Sequence, residues 1–208
     1  MTSQDDTVRA YDLDASAYAE ASPPEPVWVR ATIAELLAEL GPGARVLEIG
    51  SGGGRDALLL EESGFTVRRT DITPGFVALL REQGHACDLL DPLTDDLTSP
   101  EGPYDVVWAN ASLLHVARPD LATVLARLAD VTRPGGFLCA SVKEGDGEGW
   151  STHGSVSSPR HFTYWRDEPL RDVVGRSGWE HVNVHPLRAR AQQESWLGVS
   201  AVRGRLDP

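Results

Sequence analysis

Apolar positions along the chain change period several times, and each change marks an element. Over residues 5–20, Val8, Tyr11, Leu13 and Tyr18 fall at loosely helical spacing until Pro23-Pro24-Glu25-Pro26 breaks the pattern. Val29, Ile33, Leu36, Leu37 and Leu40 recur at the period of a second helix, which Gly41-Pro42-Gly43 stops. Short apolar runs then alternate with amphipathic stretches. The runs 45–49, 65–70, 85–88, 104–109 and 137–142 predict buried strands, and 55–63, 74–83 and 120–131 predict the helices among them. In the last helix Leu121, Val124, Leu125, Leu128 and Val131 share one face, and Arg133-Pro134-Gly135-Gly136 predicts a turn into the fifth strand. Strands alternating with helices predict an α/β fold, a doubly wound and mostly parallel sheet with helices on both faces.

Beyond the fifth strand the pattern fails. Residues 143–158 are rich in Gly, Ser and acidic side chains and show no period, which predicts a long loop of the kind that serves as a lid. A helix is expected at 168–177. Residues 179–186 and 195–202 alternate as strands with a short connection, an antiparallel hairpin that closes the sheet. The expected organisation is one domain: a helical cap over 1–42, a core over 43–142, and lid loop plus closing strands over 143–208.

Composition narrows the classes. A chain of 208 residues, 41% hydrophobic and 24% charged, suits one globular domain. No apolar run approaches the roughly 20 residues of a membrane span. The start, Met1-Thr2-Ser3-Gln4-Asp5-Asp6, is acidic and has no apolar stretch of a secretory signal, so a cytoplasmic chain is expected. Cys87 and Cys139 lie far apart beside apolar residues, which predicts reduced core thiols, no disulfide framework and no metal site. The net charge of −12 repels phosphate backbones at long range and disfavours a nucleic-acid partner.

The most informative segment is Val46-Leu47-Glu48-Ile49-Gly50-Ser51-Gly52-Gly53-Gly54. A strand runs into glycines and a helix begins behind them, a place where a ligand can approach the backbone closely. The second strand ends at Asp71, 23 residues beyond Glu48, where an acid can accept both hydroxyl hydrogens of a ribose. A dinucleotide fingerprint needs a third glycine where Arg55 stands. The pattern present is acid-x-G-x-G-x-G over Glu48, Gly50, Gly52 and Gly54. Tyr104-Asp105-Val106-Val107 on the fourth strand, Cys87-Asp88-Leu89-Leu90 after the third and Arg-Pro-Gly-Gly before the fifth accompany it.

With these motifs the chain resembles the class I S-adenosylmethionine-dependent methyltransferases, over residues 45–202. The resemblance implies a Rossmann-like sheet of seven strands with the last antiparallel. It implies S-adenosylmethionine as cofactor and S-adenosylhomocysteine as product. It places backbone at Gly50, Ser51 and Gly52 near the methionine tail, with Glu48 acting through the loop or on the tail ammonium. Asp71 would take the ribose, Ile72 would pack on the adenine, and Asp88 and Leu89 would lie at the adenine amine. Asn110 or Ala109, at the end of the fourth strand, would face the methionine end, and Tyr18, on a helix that folds over the cofactor in relatives, would touch it. Arg55 has two readings, a partner for the cofactor carboxylate or a surface arginine paired to Asp56 or Asp71.

The acceptor is less legible. Adenine and glutamine methyltransferases often carry (N/D)-P-P-(Y/F) after the fourth strand, and this chain has Asn110-Ala111-Ser112-Leu113-Leu114-His115. The resemblance is to the small-molecule branch, so the expected reaction is methyl transfer to an oxygen or nitrogen of a small molecule. Other readings are a peptide, protein or tRNA acceptor, a module that binds the cofactor without turnover, and a nicotinamide oxidoreductase. His115 is a candidate general base, or a packing residue at a helix start. Lys143, at the carboxyl edge of the fifth strand, could serve an acidic or phenolic acceptor. Tyr11 and the group Glu144, Trp150, His153, His161, Phe162, Tyr164 and Trp165 either line the acceptor pocket or pack the last strands.

Overall fold

The computed structural model describes residues 2–21, 26–152, 156, 158–187 and 195–204. The chain divides into two compact units, Met1–Asp91 with Gly149–His161 and Pro92–Glu148 with Phe162–Pro208. The first holds α1 (Ser3–Ala21), α2 (Val27–Leu40), β1 (Arg45–Ile49), α3 (Arg55–Glu62), β2 (Thr66–Asp71), α4 (Pro74–Glu82) and β3 (Asp88–Leu89). The second opens with β4 (Tyr104–Asn110), a 3-10 turn (Leu113–His115), α5 (Leu121–Asp130) and β5 (Thr132–Lys143). The residues of β6 (Glu148–Ser151) and β7 (Arg160–Thr163) are divided between the two units, and the second closes with α6 (Asp167–Arg176), β8 (Trp179–Leu187) and β9 (Trp196–Arg203).

Seven strands form the main sheet in the order β3-β2-β1-β4-β5-β9-β8, and β6 pairs with β7 as a separate two-stranded ribbon. β9 pairs antiparallel with both β5 and β8, and the other six strands run parallel. The expected fold class, antiparallel last strand included, is the one observed. Among the described residues no helix is long and apolar enough to cross a membrane.

In the first unit, β1 is buried from Val46 onward, and its register against β2 runs Arg45↔Thr66 to Ile49↔Thr70. Such two-sided burial explains an apolar run without alternation. α4 buries Phe76, Val77 and Leu80 and carries Pro74 in its first turn. Its N-terminus lacks a side-chain cap from Thr73; Asp12 of α1 supplies the carboxylate instead, accepting the Gly75 N–H at 2.6 Å. In the second unit, α5 buries Leu121, Val124, Leu125, Leu128 and Ala129, and the Trp179 indole N–H donates to the Leu125 carbonyl at 3.0 Å.

Four expectations need correction. Residues 143–158 are not one loop, since β5 runs on to Lys143 and β6 occupies Glu148–Ser151. β6 is half exposed throughout, so no apolar alternation announces it. β7 was not anticipated; its residues Arg160, His161, Phe162 and Thr163 are all buried, against the habits of the first two. Arg133-Pro134-Gly135-Gly136 does not precede the strand but lies inside β5 as an irregularity, because Tyr104 faces Thr132 while Val106 faces Phe137. A Cβ on Gly136 would stand 2.8 Å from the Asp105 carbonyl, so glycine is required there. The third strand is shorter and later than expected, at Asp88–Leu89. Cys87 and Cys139 are both buried, as expected.

Candidate functional site

In the first unit, the turn between β1 and α3 is built from backbone. The N–H groups of Gly50 and Ser51 both donate to the Thr70 carbonyl on β2, at 3.0 and 2.9 Å. Gly50, Gly52 and Gly54 have φ of 79°, 52° and 81°, conformations that L side chains adopt rarely. Gly54 caps α3, and a Cβ on it would meet Leu80 Cδ2 at 2.6 Å.

Three carboxyl groups are buried around this turn: Glu48 (2% exposed), Asp56 (7%) and Asp71 (5%). Asp71 accepts the Gly52 N–H through Oδ2 and the Thr73 N–H through Oδ1, each at 2.8 Å. Asp56 accepts Arg55 Nε and faces Arg55 Nη2, both at 2.8 Å from Oδ1. Glu48 accepts the Ser51 hydroxyl, and its own carbonyl accepts the Thr70 hydroxyl at 2.6 Å. Burial pushes the Glu48 carboxyl up to about 8; the Ser51 bond and Arg69 oppose the shift, and Asp56 and Asp71 add to it. Burial likewise raises Asp71, against its backbone N–H bonds. The neighbouring guanidinium of Arg69 is engaged by Glu61 at 2.7 and 2.6 Å.

α1 lies over the turn. A Cβ on Gly53 would sit 3.0 Å from Ala19 Cβ, and one on Gly52 would sit 3.8 Å from Tyr18 Cε1. Tyr18, Tyr11 and Phe76 form an aromatic cluster with centroids 5.4–5.9 Å apart. Arg160 of β7 donates to the Tyr11 hydroxyl at 3.2 Å, with its guanidinium carbon 5.3 Å from the ring. Burial raises both phenols, Tyr11 up to about 12.

The other predicted positions of this unit are more open. Ile72 is half-buried after β2. Asp88 is exposed and ion-paired to Arg68 at 2.8 Å, and Leu89 is 55% exposed. Trp150 stands apart from the glycine turn, on an open groove of about 390 Å³ lined also by Ala10, Leu13 and Pro159. Its ring lies 5.4 Å from His161. His153 lies outside the described residues.

The second unit gathers a separate set at the ends of β4 and β5. The Ser141 hydroxyl accepts the Ala111 N–H at 2.9 Å and donates to Asn110 Oδ1 at 2.6 Å. Ala111 has φ 55°, rare for a residue with a Cβ. Lys143 is buried, its ammonium 4.2 Å from the Phe162 ring centroid and 5.7 Å from that of Trp196. The His115 ring lies 4.8 Å from that of Phe162, and Tyr164 lies 6.3 Å from Phe162. Trp165 is buried under the Arg118 guanidinium at 4.1 Å, and Glu144 bridges it through backbone. Phe162 therefore joins Lys143, His115 and Tyr164, whereas Trp165 packs on Arg118.

Asp56, Asp12 and Arg160 were not singled out from sequence. Asp56 carries a weak signal, an acid in the first turn of the helix behind the glycines. Asp12 and Arg160 act across 63 and 149 residues, and no local pattern marks them.

The carboxyl-rich turn suits a nucleoside that carries ammonium and sulfonium charge, with Asp71 placed to accept from its hydroxyls. These residues therefore fit S-adenosylmethionine.

Comparison with known proteins agrees. A family profile described as a methyltransferase domain matches residues 47–140. The malonyl-[acyl-carrier protein] O-methyltransferase of Serratia marcescens is 30% identical over 199 residues, covering 90% of this chain and 75% of that one. An uncharacterized methyltransferase of Synechocystis is 28% identical over 149 residues, 70% of this chain; the chain spans 63% of that protein's length. Among solved structures, the Burkholderia thailandensis 1,6-didemethyltoxoflavin-N1-methyltransferase, bound to its namesake compound and S-adenosylhomocysteine, superposes with a TM-score of 0.71. It is 23% identical, covers 95% of this chain and 88% of its own, and shows the shared fold.

Proposed function

The chain belongs to the S-adenosylmethionine-dependent methyltransferases of the methyltransferase-domain family, and from that premise we propose that it methylates an oxygen or nitrogen atom of a small-molecule acceptor. The observation that carries the cofactor half is the ring of three buried carboxyls at the glycine turn. The small-molecule half is supported by the absence of the (N/D)-P-P-(Y/F) pattern, by the net charge of −12, and by relatives such as those named for ubiquinone biosynthesis.

In this reading Asp71, oriented by the Gly52 and Thr73 N–H groups, holds the ribose hydroxyls. Gly50, Ser51 and Gly52 present backbone to the methionine tail, and Glu48 lies beneath them. Arg55, held by Asp56, has a fixed place at the mouth of α3 rather than a free swing toward a carboxylate. Ile72 and Leu89 supply apolar contact for the adenine, with Asp88 at the edge. Tyr18 closes the turn from α1.

In the second unit Asn110 is fixed by the Ser141 hydroxyl, which its Oδ1 accepts. His115 accepts the proton that an O–H or N–H acceptor must shed, and Lys143 stabilises the resulting anion. Tyr11, Trp150, Tyr164 and Trp165 act by shape, with the Tyr11 hydroxyl held by Arg160. S-adenosylmethionine would supply an activated methyl group, so proximity and orientation carry much of the rate.

The test is calorimetric titration with S-adenosylmethionine, S-adenosylhomocysteine and NAD, followed by methyl-labelled cofactor in cell extract. Micromolar binding of the first two and label in the low-mass fraction are expected. Binding of NAD alone would overturn the cofactor assignment, and label confined to protein or RNA would overturn the acceptor class.

A further inference from the structure

Glu48 differs from the other buried acids of the glycine turn. Asp71 is balanced by two backbone N–H groups and Asp56 by Arg55, whereas the hydrogen bond to the Glu48 carboxyl comes from the neutral Ser51 hydroxyl. The charged and titratable groups facing Glu48 are Asp56 on α3 and Arg69 and Asp71 on β2, and the Cys87 thiol also feels its charge. Arg69, the one cation among them, is engaged by both oxygens of Glu61. The side chain is buried, so water does not offset a charge on it in the empty turn. A carboxyl placed so is neutral until positive charge arrives.

We propose that Glu48 senses ligand charge: it is a carboxylic acid in the empty turn and ionises when a cationic ligand is seated. Binding of S-adenosylmethionine near neutral pH then releases one proton from Glu48 to the buffer. S-adenosylhomocysteine, whose sulfur is uncharged, releases a smaller fraction. This rests on the cofactor reading above and extends it to discrimination between cofactor and product. Loss of the sulfonium charge during transfer lets Glu48 take a proton back from the buffer, which weakens the hold on the product. The free-state preference agrees with the geometry, since burial pushes Glu48 up to about 8.

The experiment is calorimetry on the full chain with each ligand, at pH 7, in phosphate and in Tris, whose ionisation enthalpies differ. The difference between buffers gives the protons released. Wild type should release most of a proton with S-adenosylmethionine and less than half as much with S-adenosylhomocysteine. Glu48→Gln, which keeps the shape of the acid, should release none with either and lose several-fold of its preference for the cofactor. Ser51→Ala removes the bond that favours the ionised form, so its release at pH 8 should exceed that of wild type. The infrared carbonyl band of a carboxylic acid at pH 7, present in the ligand-free wild type and lost in Glu48→Gln, reads the same proton without ligand.

Equal release with both ligands, unchanged release in Glu48→Gln, or absence of the band would overturn the proposal. If neither ligand binds while the band is present, the cofactor reading falls and carries the linkage with it, and Glu48 is only a buried acid. If both bind and the band is absent, the cofactor reading stands and the proton linkage alone is refuted.

Discussion

The proton on Glu48 has a consequence for stability that needs no ligand. The group titrates near 4.5 in an ordinary environment and is pushed up to about 8 by burial in the fold. Between these values the folded chain holds a proton that the unfolded chain has lost. Stability is therefore fully present below pH 4.5 and is lost as pH rises through 8. At about 1.4 kcal/mol per pH unit, the window of 3.5 units amounts to about 5 kcal/mol at pH 8 and above, an upper bound for a fully buried group. Glu48→Gln removes the titration and keeps a neutral group of the same shape. Urea unfolding of both proteins at pH 5, 6.5 and 8 checks the reasoning. The variant should match wild type within about 1 kcal/mol at pH 5 and exceed it by several at pH 8. Asp71, also raised by burial, acts in both proteins and largely cancels in the difference. A gap between the two that does not change with pH would refute the account.

Two further predictions concern the polar contacts that hold the site. Asp12→Ala deletes the carboxylate that caps α4, and should lower the urea unfolding free energy by about 1 kcal/mol, while Asp12→Asn, which can still accept the Gly75 N–H, should recover most of it. Ser141→Ala leaves the Ala111 N–H and Asn110 Oδ1 without their shared partner, and should cost about 1–3 kcal/mol of stability in the same assay. If Asn110 contacts the ligand, the Ser141 variant should also bind S-adenosylmethionine more weakly by calorimetry.

The sequence made the doubly buried elements legible. β1 is apolar apart from Arg45 and Glu48, β4 apart from Asp105 and Asn110, and α5 shows its buried face at helical period, so boundaries there agree to a residue or two. What escaped was pairing that does not depend on side-chain period. β6 has no apolar face to reveal it, and β7 buries Arg160 and His161, residues that composition assigns to the surface. The prolyl-glycine stretch carries the chemistry of a turn, yet the strand resumes its pairing beyond it with four residues looped out of register. Local chemistry was read correctly there and its topological meaning was not.

At the site, the glycines and the acids at 48 and 71 were legible because their spacing along the chain is fixed by strand, turn and helix lengths. The division of labour among the acids was not, since it depends on which donor each one meets after folding. Arg55 had Asp56 and Asp71 within reach by sequence; the fold gives Asp71 to two backbone N–H groups and leaves Asp56 to the arginine. Glu48 then remains with a hydroxyl alone. A surplus carboxyl of this kind is costly in a protein built only for stability, and a Gln at the same position would bury as well without the charge. Its presence is accounted for when the ligand brings a positive charge, because the ion pair then forms on binding and the acid form spares the empty turn an uncompensated anion.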